Sequence, residues 1–421
     1  KYGFVAEGSY CYSCYGIILN SILGDYQSAY EFGRLALALS ENSNNLSQNC
    51  QDSVIFANYL NCWVRPLKTT AEINNEGYKI GLQSGNLQWT GYNRMFQTIT
   101  YFFQGMNLNN LLEDIDKSLH FCNHTKNFWA IDIIIANKIA ILNLMGEEDE
   151  VSEEQHLENF HSRKSMAALC EFYVLKAQTF YLYEQYSEAL EASDRAAELI
   201  DYLMGHISSA HHYFYRCLIL TALYSEVSEL ERQDYWLQLE ANQKQIKVWA
   251  DNCSESFAHK FWLVAAEMAR ISGFDLSAMD LYDRAIALAR EHDFIQNEAL
   301  AAELAAKFWL GKEKEEFAHI YLTKAHYGYQ YWGAKRKVES LEEKYPQLIV
   351  RTSGKTTTQT KNRTTTATTS SNLGETLDLT TVMKASFAIS GEIVLSRLLE
   401  RLMKIAIENA GAQKGFLILE K

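Results

Sequence analysis

The chain contains 421 residues, of which 48% are hydrophobic, and its formal net charge is −13. This length exceeds what a single compact core supports, and the hydrophobic content excludes a chain that is disordered throughout. The excess of acidic residues argues against general binding to nucleic acid or anionic lipid, both of which require a cationic surface.

The first residues, KYGFVAEGSY, lack an initiator methionine and the basic-then-apolar pattern of a secretory signal. We therefore expect that they continue a longer polypeptide. No apolar stretch reaches the roughly 18–20 uncharged residues that span a bilayer. The eight cysteines are scattered without disulfide spacing, which is typical of free thiols in a reducing compartment. These features predict a cytoplasmic protein without a membrane span.

Residues 1–345 are predicted to form helical hairpins with a period of about 40 residues. Small residues recur two helical turns apart, where they let a second helix approach closely. The pairs are Ala29/Ala36, Ala189/Ala196, Ala278/Ala285 and Ala318/Ala325, with weaker copies at Ala71/Tyr78 and Leu111/Ser118. In helical arrays each repeat buries its apolar face against its neighbours. We expect an all-α, tetratricopeptide-like, right-handed superhelix of about eight hairpins with a concave, protein-binding groove.

The spacing of apolar residues gives the individual helices, and the presence of only two prolines favours long ones. The predicted hairpins are 3–22 with 26–41, 46–65 with 69–83, 87–105 with 108–121, 126–146 with a poorly defined partner around 150–161, 165–183 with 186–203, 207–226 with 230–250, 255–272 with 275–292, and 295–311 with 314–329. A last helix near 331–344 is charged on most faces, so we expect it to cap the open end of the array.

Beyond the repeats the composition changes abruptly. Residues 346–374 are threonine-rich and nearly free of large apolar side chains, which predicts a flexible linker; a phosphorylated regulatory stretch is the alternative. Residues 375–410 are predicted to form two signalling helices, the second with an apolar stripe from Ile393 to Ala406. Residues 411–421 contain GFLILEK, which indicates a buried first strand. One helix and one strand cannot fold alone, so we expect the opening of a truncated domain.

The sequence offers no catalytic, cofactor-binding or metal-binding residues. Phosphate-loop, kinase, metalloprotease and serine-hydrolase motifs are absent. Cys11 and Cys14 form one C-x-x-C without a second pair, and His206, His211 and His212 lack a third ligand, so we interpret both groups as structural. The acidic run 146–154 lacks the regular oxygen spacing of a calcium loop, which favours a solvated loop.

Several runs resemble one family. They include LGDYQSAYEFGRLAL, ARISG followed by DLYDRAIALARE and FIQNEALAAELAAKFWL, and AISGEIVLSRLLERLMKIAIENAGAQKGFLILEK. Together they resemble the middle of the cyanobacterial-type multi-sensor signal-transduction multi-kinases. These proteins carry a serine/threonine kinase, an AAA-type ATPase, helical repeats, a GAF sensor domain and a histidine kinase. The resemblance implies that residues 411–421 begin an α+β GAF domain. One departure is Cys253-Ser254-Glu255, where the family pattern has proline before the glutamate, which we expect to soften a helix start.

The resemblance implies a non-catalytic scaffold that relays signals to a GAF and histidine-kinase module, with ATP and Mg²⁺ bound by domains that lie outside this segment. Its expected partners are neighbouring domains of the same polypeptide and proteins in the groove. By analogy with sensor kinases, we also expect a homodimer that forms through residues 377–410. Two alternatives stay open: the repeat region of an ATPase-type transcriptional regulator, and an enzyme with a helical-toroid active site.

Overall fold

A computed structural model describes residues 8–347, which contain 17 α-helices and no strand within that range. The helices are α1 Gly8–Ser21, α2 Tyr26–Asn42, α3 Leu46–Ile55, α4 Leu67–Ser84, α5 Leu87–Gln104, α6 Leu108–His124, α7 Phe128–Met145, α8 Glu153–Ser162, α9 Met166–Leu182, α10 Tyr186–Leu199, α11 Ile207–Leu223, α12 Glu229–Asn252, α13 Ser254–Ile271, α14 Asp275–Glu291, α15 Ile295–Gly311, α16 Glu315–Trp332 and α17 Lys335–Lys344. The predicted linker beyond residue 347, the signalling helices and the final strand lie outside the described residues.

Asparagine caps link consecutive hairpins. Asn45, Asn86 and Asn127 stand 41 residues apart, and each accepts a hydrogen bond from the first turn of the helix that it begins. The side-chain amide of Asn86 also donates to the Ser47 carbonyl at 3.3 Å, and that of Asn127 donates to the Gln88 carbonyl at 2.9 Å. Each of these two residues therefore caps its own helix and ties it to the start of the preceding hairpin.

Left-handed turn residues set the repeat length. Most helices end at one residue with positive φ, which reverses the chain into the next helix. These residues recur about every 20 positions, so two helices occupy about 40. They are Gly24, Asn44, Gly85, Gly105, Lys126, Gly146, Lys164, Glu184, Gly205, Gly273, Asp293, Glu313 and Gly333. The 20-residue spacing is interrupted twice. It doubles between Asn44 and Gly85, where α3 continues into a π-helical turn and a 3₁₀ turn, and it is lost between Gly205 and Gly273, where α12 runs for 24 residues and Cys253 alone separates it from α13.

The all-α repeat is confirmed for the described residues, and so is the packing role of the alanine pairs. All eight paired alanines are at most 1% exposed, as are Leu111 and Ser118. The copy at Tyr78 is wrong, because Tyr78 lies half-exposed on the flank of α4. The close approach there is made by Gly77 and Gly81, which lie one turn apart and face α3 and α5.

Replacing Gly81 with alanine should lower the free energy of unfolding by about 1–3 kcal/mol. A Cβ at this position would lie 2.1 Å from Thr90 Oγ1 and 2.7 Å from Cys50 Sγ, so α4 and α5 would have to separate. Gly311→Ala is the matched control, because a Cβ on this glycine of α15 meets nothing within 4 Å. Urea titration should show Gly311→Ala unchanged or more stable by up to about 1 kcal/mol. Equal losses in both variants would contradict this packing.

The predicted helix 46–65 is interrupted. It continues from α3 as a π-helical turn over Phe56–Leu60 and a 3₁₀ turn over Asn61–Trp63. Here Asn58 donates to the Val54 carbonyl and to Asn74 Oδ1, both at 2.8 Å. Buried side-chain amides that bond to helix carbonyls and to a neighbouring helix are compatible with such a wide turn.

The repeats do not pack only against their sequence neighbours, which corrects our expectation of an array with nearest-neighbour contacts. One buried cluster extends from Tyr26 to Tyr345. The indole of Trp63 donates to the Gly205 carbonyl at 2.9 Å and stacks on Phe257. The side chain of Gln296 donates to the Phe103 carbonyl at 2.7 Å. Aromatic side chains thus join the first hairpins to the last ones and fill space that an open array would leave to solvent.

Helix α7 lies inside this core. By length and composition it could cross a membrane, with a mean hydropathy of 1.6 over 18 residues, but 67% of those residues are buried in the protein. It contacts α6, α9 and α17. Its Asp132 is 1% exposed and bonds to Arg163 and Ser165. This packing favours a core helix.

Candidate functional site

The first helices of the N-terminal hairpins form an aromatic cleft. Helices α1, α3, α5 and α7 contact one another in series, and the cleft opens along them with a volume of about 380 Å³. Its walls carry no charged side chain. They consist of Tyr10, Ile17, Val54, Ile55, Tyr59, Trp89, Tyr92, Phe96 and Trp129. We call this set the aromatic cleft.

The rings of the aromatic cleft support one another edge to face. The centroids of Trp89 and Tyr92 lie 5.2 Å apart, and those of Tyr92 and Trp129 lie 4.9 Å apart. Phe96 reaches Trp129 at 6.2 Å and Tyr59 at 5.8 Å. Such pairs prefer perpendicular or offset geometry, so the rings form a braced surface.

The chemistry of this surface suits apolar protein side chains. Trp129 remains 37% exposed and Tyr10 36% exposed although both belong to a wall of rings. Aromatic residues that are rigid and partly exposed are typical of protein-interaction sites, because they supply contact area at low entropic cost. The arrangement holds no nucleophile, acid–base pair or phosphate cradle.

A second site is the buried ionic network that holds α17. Lys337 is 1% exposed, and its ammonium group donates to Glu303 Oε1 of α15 at 2.8 Å and to the Leu182 carbonyl at the end of α9. The Tyr329 hydroxyl donates to the other Glu303 oxygen at 2.8 Å. We call Glu303, Lys307, Lys337, Glu184 and Lys344 the α17 network.

The outer part of the α17 network joins three distant segments. Lys307 bridges Glu303 at 2.9 Å and Glu184 at 3.0 Å, and Glu184 also pairs with Lys344. Burial alone would raise the pKa of Glu303, but Lys307 and Lys337 outweigh it and lower this pKa to about 2. The carboxylate is therefore ionised, and α17 is fastened across α9 and α15. This corrects our expectation that the last helix caps the end of the array.

The three histidines noted in the sequence are core residues. His206 is the N-cap of α11, where its ring accepts a hydrogen bond from the Ser208 N–H, and its centroid lies 5.1 Å from that of the Phe96 ring. The centroid of the His211 ring lies 4.5 Å from that of Phe103. Burial lowers the pKa of His206 to about 3 and that of His212 to about 4, and it also lowers the pKa of His211 well below its ordinary value. Each imidazole is neutral, and the three do not converge on one point.

The other sequence candidates stay apart. Cys11 is exposed and Cys14 half-buried on α1, and both are free thiols. In the acidic run, Asp149 bonds to Lys138 at 3.1 Å while α8 begins at Glu153. Cys253 is the N-cap residue of α13 and makes no side-chain cap, and the softened helix start stays a prediction. Among residues 8–347, no group of three or more His, Cys, Asp or Glu side chains is placed to hold a metal.

Sequence reasoning did not find the two sites above. It predicted a protein-binding groove without naming the residues that line it, because aromatic residues of the core and of the cleft share the same helical spacing. It predicted the last helix as a cap that is charged on most faces, since the sequence pattern does not reveal which charge is buried. The available signal for the α17 network was that α17 has no long apolar face with which to pack.

The comparisons with known proteins bear on this geometry. No protein-family model matches the chain. Over 45 residues the chain is 51% identical to hybrid signal transduction histidine kinase G of Dictyostelium discoideum. The matched segment covers 11% of this chain and 1% of that protein. The similarity indicates a relation to signal-transduction kinases, and the activity of that whole protein is not transferred by so short a match.

Proposed function

We propose that this chain is a non-catalytic, helical-repeat scaffold of a multidomain signal-transduction protein kinase. Its role is to dock a neighbouring domain or a partner protein. The change in helix packing that docking causes is then relayed to a GAF and histidine-kinase module. The observation that carries the proposal is the aromatic cleft: an uncharged wall of braced rings with Trp129 37% exposed. The short similarity to a histidine kinase supports a signalling role.

The α17 network supports the relay. Helix α17 is the last described helix before the threonine-rich segment, and its Lys337 and Lys344 bind to residues of α15 and of the α9–α10 turn. A change in packing among those helices would therefore act on the segment that leads to residues 377–410. We propose that these residues form signalling helices that transmit the change, across a homodimer, into the first strand of a GAF domain at 411–421.

The remaining parts of the proposal follow from the family resemblance. ATP and Mg²⁺ would be bound by kinase and ATPase domains elsewhere in the polypeptide, and the protein would act in the cytoplasm. A right-handed tetratricopeptide-like superhelix would set the curvature of the hairpins. The alternative, a repeat region of an ATPase-type transcriptional regulator, is not favoured by the similarity to a histidine kinase.

Site-specific photocrosslinking tests the docking surface. We expect a benzophenone side chain at Trp129 of the full-length protein to crosslink to a polypeptide segment, because a docked partner must lie against this ring. Phe274 is the matched control, since it is 67% exposed and lies on α14's N-cap away from the aromatic cleft. Mass spectrometry should find crosslinked peptides at position 129 and few at 274. No adduct at 129, or equal yields at both positions, would refute docking in the cleft.

A further inference from the structure

A pocket of about 210 Å³ lies where α7, α9 and α17 meet, away from the aromatic cleft. Its floor exists because α7 presents two small residues, Ala136 and Ala140, one turn apart. Phe172 and Phe180 of α9 form its side walls, and Phe172 is 3% exposed. An apolar cavity of about 150 Å³ is enough to hold one benzene ring. The pocket therefore has room for a ring or a branched aliphatic group with a small substituent.

A guanidinium group without a carboxylate partner stands at the rim. Arg336 of α17 lies over the Tyr183 ring at 4.7 Å, and its Nη1 donates to Asn143 Oδ1 at 2.8 Å. Among the described residues no carboxylate pairs with Arg336, although the chain carries a net charge of −13. Its remaining N–H donors lie in the planar arrangement that matches a carboxylate.

The second cation of the pocket is already paired. Lys176 lies between Phe172 and Phe180, at 5.3 and 5.2 Å from the ring centroids, and forms an ion pair with Glu153. This pair cancels its own charge and leaves Arg336 as the anchoring charge of the pocket. A neutral ligand would leave the charge of the guanidinium without an ionic partner, whereas a carboxylate would supply one through two parallel hydrogen bonds.

We infer that this pocket binds a small monocarboxylate with an apolar body of about one ring, with the carboxylate on Arg336 and the apolar body between α7 and α9. Such a ligand would bridge α7 and α9 to α17 beside the α17 network. Binding of this small molecule would therefore alter the packing of α17, the helix that precedes the predicted linker. This inference goes beyond the proposed docking function and does not depend on it.

Calorimetry on the full chain tests the pocket with phenylacetate as the probe. We expect saturable binding of phenylacetate, and binding at least about tenfold weaker for phenylacetamide, which lacks the charge, and for inorganic phosphate, which lacks the apolar body. Hydrogen exchange of the α17 amides should slow when phenylacetate is bound. Failure of phenylacetate to saturate, or equal binding of phosphate, would overturn the inference.

Two variants assign the binding to this place. Arg336→Gln should weaken phenylacetate binding at least about tenfold, because the amide is polar but carries no charge. Ala140→Leu should abolish binding by filling the floor. Lys335→Gln is the matched control, since Lys335 is the adjacent exposed cation and pairs with Glu147; it should bind as the unaltered chain does. If Arg336→Gln binds phenylacetate as tightly as the unaltered chain does, the proposal is contradicted, even if Ala140→Leu fails to fold.

Discussion

Acidification from pH 7 to pH 5 should lower the free energy of unfolding of the repeat region by roughly 4–6 kcal/mol, a large part of the 5–15 kcal/mol that is typical of folded proteins. Four imidazoles are the cause: His206, His211, His212 and His259, all at most 5% exposed. Burial lowers the pKa of each one, and the nearby cation Lys260 adds to the effect at His211 and His259.

The direction follows from the protons that each state binds. Below pH 6.5 the unfolded chain protonates these histidines, whereas the folded chain keeps them neutral until the pH falls to their lowered pKa. The stability that these histidines contribute by staying neutral is therefore fully present above pH 6.5 and is lost as the pH falls. Each imidazole contributes about 2 kcal/mol of loss at pH 5, since one pH unit is worth about 1.4 kcal/mol per proton.

Buried carboxyl groups act in the opposite sense. Burial raises the pKa of Glu171 to about 7, so folding takes up a proton there, and the contribution to stability grows as the pH falls from 7 towards 4.5. This gain in stability offsets about 2 kcal/mol of the loss caused by the histidines. The raised pKa of Asp52 works in the same direction. The histidines outnumber these groups, and net destabilisation results.

The hydrogen bonds of two histidines explain why they resist protonation. Asn297 Nδ2 lies 2.8 Å from His259 Nε2 and donates to it, so a proton added to that nitrogen would face another donor. His211 Nε2 lies 2.7 Å from Gln178 Oε1, while its Nδ1 is buried without a partner in the described structure. A charge on either ring would lack solvation.

Urea titrations at several pH values measure the effect as the slope of unfolding free energy against pH. His206→Asn should reduce the slope between pH 6.5 and 5 by about one proton, because asparagine keeps the helix cap that Asn45, Asn86 and Asn127 provide elsewhere. His124→Asn is the matched control at an exposed position and should leave the slope unchanged. A slope near zero in the unaltered chain would contradict neutral buried imidazoles.

Replacing Lys337 with methionine should lower the free energy of unfolding by about 3 kcal/mol, because one member of a buried ion pair is removed. Glu303 would lose one of its two ammonium partners, and the Leu182 carbonyl would lose a donor inside the core. Hydrogen exchange of the α17 amides should accelerate most, since Lys337 fastens this helix to α9 and α15.

Lys335→Met is the matched control for this prediction. Lys335 lies on the same helix and pairs with Glu147 at 3.4 Å, but it is 58% exposed, so its pair contributes at most about 0.5 kcal/mol. A double-mutant cycle with Glu303→Gln should give a coupling energy of about 1–3 kcal/mol between positions 303 and 337. Equal effects of Lys337→Met and Lys335→Met would show that the buried pair does not hold α17.

Local features of the fold could be predicted from the sequence. The hairpin predicted at 295–311 and 314–329 corresponds to Ile295–Gly311 and Glu315–Trp332, because apolar spacing and small residues are encoded within each helix. Buried pairs such as Ala278 and Ala285 were found for the same reason. The path of the chain after Ile55 could not be predicted, because a π-helical turn depends on amide contacts with another helix.

Contacts between distant hairpins could not be predicted. Nothing near Trp63 in sequence indicates that its indole bonds to Gly205, and nothing near Lys337 indicates that Glu303 lies against it. Such pairs depend on how the hairpins accumulate curvature over many repeats, which a periodic pattern does not specify. For the same reason the aromatic cleft was not predicted, since its nine lining residues come from four helices and from the π-helical turn Phe56–Leu60.

Autophosphorylation of the full-length protein, which we propose to be a kinase, tests the relay most directly when it is compared with and without residues 377–410. We expect the deletion to leave the melting temperature of the repeats unchanged but to make phosphorylation independent of the input signal. Regulation that persists in the deleted protein, with the repeats intact, would contradict the relay from the repeats to the kinase module.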